Sequence, residues 1–171
     1  MPLPLAPLRA LKITAALSLA LSMAACASNN DLADASAAYG AGGRGAAAPG
    51  SAQDFVVNVG DRVFFETDST DLTPNAVATL DKQAQWLSRY SRYTFLIEGH
   101  ADERGTREYN YSLGARRFQA VRDYLISKGI AASRMRTVSY GKERPVAVCN
   151  DISCWSQNRR AVTVLDGGAG S

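Results

Sequence analysis

A single junction constrains this chain more than any other stretch. The apolar, β-prone run Tyr93-Thr94-Phe95-Leu96-Ile97 gives way at Glu98 to a Gly-bounded polar loop, Gly99-His100-Ala101-Asp102-Glu103-Arg104-Gly105. From Thr106 to Lys128 the apolar residues then recur at helical spacing. A strand that turns through a charged loop into a long helix places that loop at one end of a sheet, beside the start of the helix. On a wheel of about 100° per residue, Leu113, Ala120, Val121 and Tyr124 share one arc, and Arg117 lies in its middle. Asn110 lies two turns earlier on the same side, while Arg116, Arg122 and Asp123 fall on solvated flanks.

An arginine centred on an apolar face must form an ion pair, snorkel to water, or line the opening of a site. Its planar fork suits a carboxylate. Asp102, in the loop entering the helix, can hold an ammonium group or pair with Arg117 in the free protein. Asp102 and Arg117 together match the two halves of an amino-acid-like zwitterion. A catalytic reading of His100, Asp102 and Glu103 is weak. His100 is the only histidine in the chain, a zinc site needs three or four ligands, and no Ser or Cys nucleophile is coupled to it by spacing. We expect no catalytic residue, no metal and no cofactor, with His100 shaping the loop through hydrogen bonds.

The surrounding sequence alternates strand and helix signals. Val63-Phe64-Phe65-Glu66 predicts a first strand, which can extend back through Phe55-Val56-Val57. A turn at Asp68 to Asp71 leads to Thr73-Pro74, an N-cap followed by proline at the first helical position. Val77, Leu80, Ala84 and Leu87 then predict an amphipathic helix from Pro74 to about Ser91. Gly129 ends the second helix, Met135 to Tyr140 forms a third strand, Ser153 to Asn158 a short helix, and Ala161 to Leu165 the last strand. The expected fold class is α/β, an α+β sandwich. It has a mixed sheet of about four strands with two long helices and a short third on one face.

Composition changes before this domain. Arg9 and Lys12 precede an apolar, small-residue run from Ile13 to Ala25, too short to span a bilayer. Removing those two cations from the net charge of +3 leaves +1, and no basic stripe interleaved with aromatics suggests nucleic acid. Residues 1–25 are expected to be a signal peptide and 26–52, rich in Ala, Gly, Ser and Asn, a flexible linker. Such a linker reaches about 25–30 Å on average and about 85 Å when stretched. The folded domain is expected at 53–166, with a disordered tail at 167–171. Cys149 and Cys154 bracket four residues. In an exported chain they are expected to form a disulfide rather than a metal site, since no histidine lies near them.

Two resemblances extend this reading. Leu21-Ser22-Met23-Ala24-Ala25-Cys26 resembles the bacterial lipobox, with Met23 where Leu is usual. That implies lipidation at Cys26, and Ala27 after it implies sorting to the cell outer membrane, with the domain facing the periplasm. A second set of motifs resembles the OmpA-like peptidoglycan-binding family, closest to its Tol-Pal lipoprotein branch. They are Gly99-His100-Ala101-Asp102-Glu103-Arg104-Gly105-Thr106, Tyr109-Asn110, Leu113-Gly114, Arg116-Arg117, Ser139 to Pro145, and Asn158-Arg159-Arg160-Ala161-Val162. The resemblance covers about Val63 to Leu165. It implies a non-catalytic domain that grips the meso-diaminopimelate of peptidoglycan, with Asp102 on the ammonium and Arg117 on the carboxylate. By match of position Asn110, Asp68 and Thr67 line the same pocket, and Arg160 is structural or at the rim. Implied partners are peptidoglycan, TolB and TolA, in a system that maintains the outer membrane and its invagination at division. The alternative is a protein-recruiting structural module with weak wall binding.

Overall fold

The computed structural model describes residues 47–166. The expected signal peptide, Cys26, most of the linker and the 167–171 tail lie outside the described residues. Within them, β1 (Arg62–Phe64), β2 (Phe95–His100), β3 (Met135–Gly141) and β4 (Arg160–Leu165) form one sheet in the order β1-β4-β2-β3. β4 runs antiparallel to both β1 and β2, whereas β2 and β3 are parallel. The helices are α1 (Ala52–Asp54), α2 (Pro74–Arg89), α3 (Arg107–Ser127) and α4 (Ile152–Asn158). A parallel pair needs a crossover, and α3 supplies it between β2 and β3.

Alternation along the strands decides which face is covered. Val63, Phe95, Ile97, Ala161 and Leu165 join Leu80 and Leu87 of α2 and Val121 and Leu125 of α3 in the core. On the other face Phe64 and Val164 are 47% and 40% exposed. Local chemistry fixes the helix ends. Thr73 and Thr106 each accept an N–H of their helix's first turn, and Pro74 opens α2. Gly129, at φ +88°, ends α3.

α3 lies directly against β2 because two glycines meet there. A methyl group on Gly99 would fall 1.9 Å from the Gly114 carbonyl oxygen, and one on Gly114 would fall 2.4 Å from Ser139 Oγ. This close approach sets Arg117, three residues beyond Gly114, over the C-terminal end of β2.

One expectation is overturned at the start of the domain. Phe55-Val56-Val57 does not extend the first strand; Phe55–Val59 is a π-helical turn continuing from α1. Ser51 caps α1, and the positive φ of Gly60 lets the chain leave the turn. Only Phe55 of this turn is buried, packed at a tilt against Trp86 with ring centroids 4.9 Å apart. The chain is fastened to the domain even earlier, inside the stretch expected to be linker. Gly50 O accepts from Arg92 Nη2 at 2.7 Å and from the Tyr93 hydroxyl at 2.9 Å.

Candidate ligand site

Three segments meet at the C-terminal end of β2: the β1–α2 loop, the 101–106 loop, and the first three turns of α3. Between them is a cavity of about 240 Å³ lined by Thr67, Asp68, Asp102, Arg104, Gly105, Tyr109, Asn110, Leu113 and Arg117. All five side chains expected from sequence to line a ligand pocket border this one cavity.

Arg117 is fully buried. Its Nε donates to Ser69 O at 3.0 Å, Nη1 to His100 O at 2.8 Å and Nη2 to Glu66 O at 3.1 Å. The guanidinium also lies 5.1 Å from the centroid of the Phe65 ring. Among the described residues no carboxylate lies within ion-pair distance of it, so its direct partners are carbonyl dipoles, with the Asp102 and Asp68 charges farther off. Burial and the nearby Arg159 cation lower its pKa to about 10, which leaves it cationic at neutral pH. A guanidinium carries five N–H groups, and the carbonyls use three.

Asp102 is 7% exposed and pairs differently from the expectation. It makes no ion pair with Arg117. Instead Arg104 reaches both of its oxygens, with Nη2 at 2.7 Å from Oδ2 and Nε at 3.1 Å from Oδ1, and the Arg104 backbone N–H adds a third bond. Arg159 Nη1 donates to Oδ2 at 3.3 Å from the sheet side. Two nearer cations have taken the place assigned to Arg117, because the three carbonyls point the Arg117 fork elsewhere. Burial raises the Asp102 pKa, but the bonds from Arg104 and Arg159 outweigh it and hold the carboxyl below its usual value.

The remaining groups set the walls. Asn110 is buried and donates to Arg104 O at 2.7 Å, closing the 104–110 turn. Asp68 adopts φ +56° and accepts from the Tyr109 hydroxyl, a bond that raises the tyrosine pKa. Thr67 lies at the edge, 3.5 Å from Arg104 Nη2. His100 contributes its carbonyl rather than its ring. The imidazole is 1% exposed beside Glu98 and Tyr140, and burial with the charges of Arg160, Arg144 and Arg62 lowers its pKa to about 3.

Sequence reasoning missed Arg104, Arg159 and Trp155. Arg159 is the buried partner of Asp102, whereas Arg160 donates to Asn158 O and Arg144 O. Trp155 lies under Arg104, with the guanidinium 4.2 Å from its ring centroid. The available signal was the pair Arg159-Arg160 at the start of a strand, where alternation sends neighbours to opposite faces.

Comparison with known proteins decides the family. The OmpA family model matches residues 64–159. The chain belongs to the OmpA family, among the peptidoglycan-associated lipoproteins. It is 67% identical over 156 residues to the peptidoglycan-associated lipoprotein of Rhizobium meliloti strain 1021, covering 91% of this chain and 88% of that one. Identity to the Agrobacterium fabrum peptidoglycan-associated lipoprotein is 64% over 155 residues, covering 91% and 87%. The crystal structure of the peptidoglycan-associated lipoprotein from Burkholderia pseudomallei superposes with a TM-score of 0.60 at 42% identity, covering 62% of this chain and 90% of that one. The C-terminal domain of Helicobacter pylori MotB, at 21% identity and TM-score 0.58 over 62% and 84% of the two chains, shares the OmpA-like fold. The OmpA family is a structural family rather than an enzyme family.

Proposed function

We propose that this OmpA-family chain is an outer-membrane lipoprotein, acylated at Cys26, whose periplasmic domain binds peptidoglycan non-covalently through meso-diaminopimelate. The observation that carries the reading is one small cavity bordered by a buried guanidinium and a buried carboxylate. The free end of diaminopimelate is a zwitterion. Its carboxylate takes the two N–H groups of Arg117 that the carbonyls leave available, and its ammonium takes Asp102. Asn110, Asp68 and Thr67 shape the walls and offer polar edges. Several acyl chains on one cysteine make a stable anchor, where a single chain binds a bilayer marginally. The expected partners are peptidoglycan and, within a Tol-Pal system, TolB and TolA. The expected role is to maintain the outer membrane and its invagination at division.

Co-sedimentation with purified sacculi tests the site. Asp102→Asn, which keeps the side-chain shape, is expected to abolish pelleting while circular dichroism and thermal unfolding report a folded domain. Arg117→Ala is expected to abolish it as well. Pelleting at the wild-type level by folded Asp102→Asn protein would remove Asp102 from the site.

A further inference from the structure

Both cations on Asp102 trace back to α4. Arg159 directly follows the helix and is tied to Phe65 O at 3.0 Å as well as to Asp102. Arg104 reaches α4 through Trp155, whose ring lies beneath its guanidinium and whose indole N–H donates to the Glu103 carboxylate. α4 is fastened at both ends. The Cys149–Cys154 disulfide closes the loop at its start, and buried Asn158 at its end accepts the N–H groups of Val146 and Ala147 and donates to Ala147 O.

This arrangement raises a problem of occupancy. Asp102 already gives both oxygens to Arg104, so an incoming ammonium competes with a cation of the same charge. One of the two holders must yield. Arg159 is buried and double-tied, with its side chain 5% exposed, whereas the Arg104 side chain is 40% exposed and free to swing. A guanidinium that gives up its carboxylate needs somewhere to go, and the face of an indole is the best aromatic surface for it.

We propose that Trp155 is a positioning residue of the clamp: it carries Arg104 on its ring and pins Glu103, so that the Asp102 loop is set beforehand and Arg104 stays on the indole when an ammonium displaces it from Asp102. The inference rests on the reading of Asp102 as the ammonium-binding pole. It assigns Trp155 no ligand contact; the residue acts through Arg104 and Glu103.

The test is a titration of the full chain, in mild detergent, with a soluble stem peptide containing meso-diaminopimelate. Affinity and indole emission are followed together. Trp155→Ala is expected to bind about fivefold more weakly, the upper size of an exposed cation–π contact, and Trp155→Phe to recover to within about twofold of wild type. Wild-type emission should change on saturation as Arg104, already on the ring, gives up Asp102 and shifts its position on the indole. The change should vanish in Trp155→Phe, which leaves only Trp86, bonded to Asp54 far from the site. Wild-type affinity in folded Trp155→Ala protein, or emission that does not respond to ligand, overturns the role of Trp155. Should Trp155→Ala fail to fold, the emission of the wild-type chain decides. Running Asp102→Asn in parallel separates the two levels. If that variant loses binding and Trp155→Ala does not, only the positioning role falls. If Asp102→Asn binds as wild type, the ammonium assignment itself falls.

Discussion

The two poles of the cavity are held in opposite ways. Arg117 donates only to backbone carbonyls, two from the β1–α2 loop and one from the end of β2. Asp102 is held almost entirely by other side chains, one of them well exposed. Carbonyl dipoles orient a cation without neutralising it, so Arg117 keeps a charge that an external anion can still complete. Asp102 has already been neutralised by Arg104 and Arg159. An anion arriving at the cavity therefore adds to the structure, whereas a cation must exchange with part of it. The first pole is as rigid as the fold, and the second is adjustable.

The largest expected effect breaks the rigid pole. Arg117→Ala removes the guanidinium from three inward carbonyls, of which Glu66 O keeps the Ser69 N–H; a buried carbonyl left unsatisfied costs about 1–3 kcal/mol before water refills the gap. We expect a loss of about 3–5 kcal/mol in urea unfolding, together with loss of wall binding. A variant that unfolds at the wild-type midpoint would show that the carbonyl cradle contributes nothing to the fold, and the contrast between the poles would collapse.

Acid separates the poles next. Folded His100, with its pKa lowered to about 3, stays neutral where the unfolded chain takes up a proton. Stability is complete above about pH 6.5 and falls as pH drops toward the folded value, by about 2.5 kcal/mol between pH 6 and 4. Asp102, with its pKa below 3.8, contributes stability above the unfolded carboxyl range and loses it only as pH falls through the folded value. Between pH 6.5 and about 4 the thermal midpoint should therefore decline while folded protein still binds sacculi. Because His100 is the only histidine, His100→Gln should flatten the decline. A slope unchanged in that variant would assign it to other groups.

The smallest effect is expected at the adjustable pole. Replacing Cys149 and Cys154 with serine releases a short loop, worth about 2 kcal/mol of chain entropy. Amide exchange should accelerate in α4 and the 102–106 loop and stay unchanged at 66–69, which faces Arg117. Equal acceleration at both loops would mean that α4 does not act selectively on Asp102.

Sequence made both poles visible but hid what holds the second, for a physical reason. Arg117 interrupts a regular apolar arc, so helical periodicity alone exposes it. Thr73, Pro74, Thr106 and Gly129 punctuate their helices by local chemistry and are equally legible. The holders of Asp102 are not periodic. Arg104 lies in an irregular loop, and Arg159 and Trp155 come from 57 and 53 residues farther along the chain. Only the packing of α4 against the loop brings them together. The Phe55–Val59 turn misleads because two exposed valines imitate a strand, while the features that make it helical, Ser51 and Gly60, lie outside the apolar run.

The fastening of Gly50 to Arg92 and Tyr93 has a mechanical meaning. It holds the incoming chain just before the first residue of β2, while the last residue of that strand, His100, holds Arg117. On the function proposed above, a pull between membrane and wall would enter and leave the domain at opposite ends of one strand, about 20 Å apart. β2 is hydrogen-bonded on both sides, to β3 and β4. Tension applied at its two ends runs along the covalent backbone of β2, while the ladders on either side keep the strand in place and are not the links that carry the load.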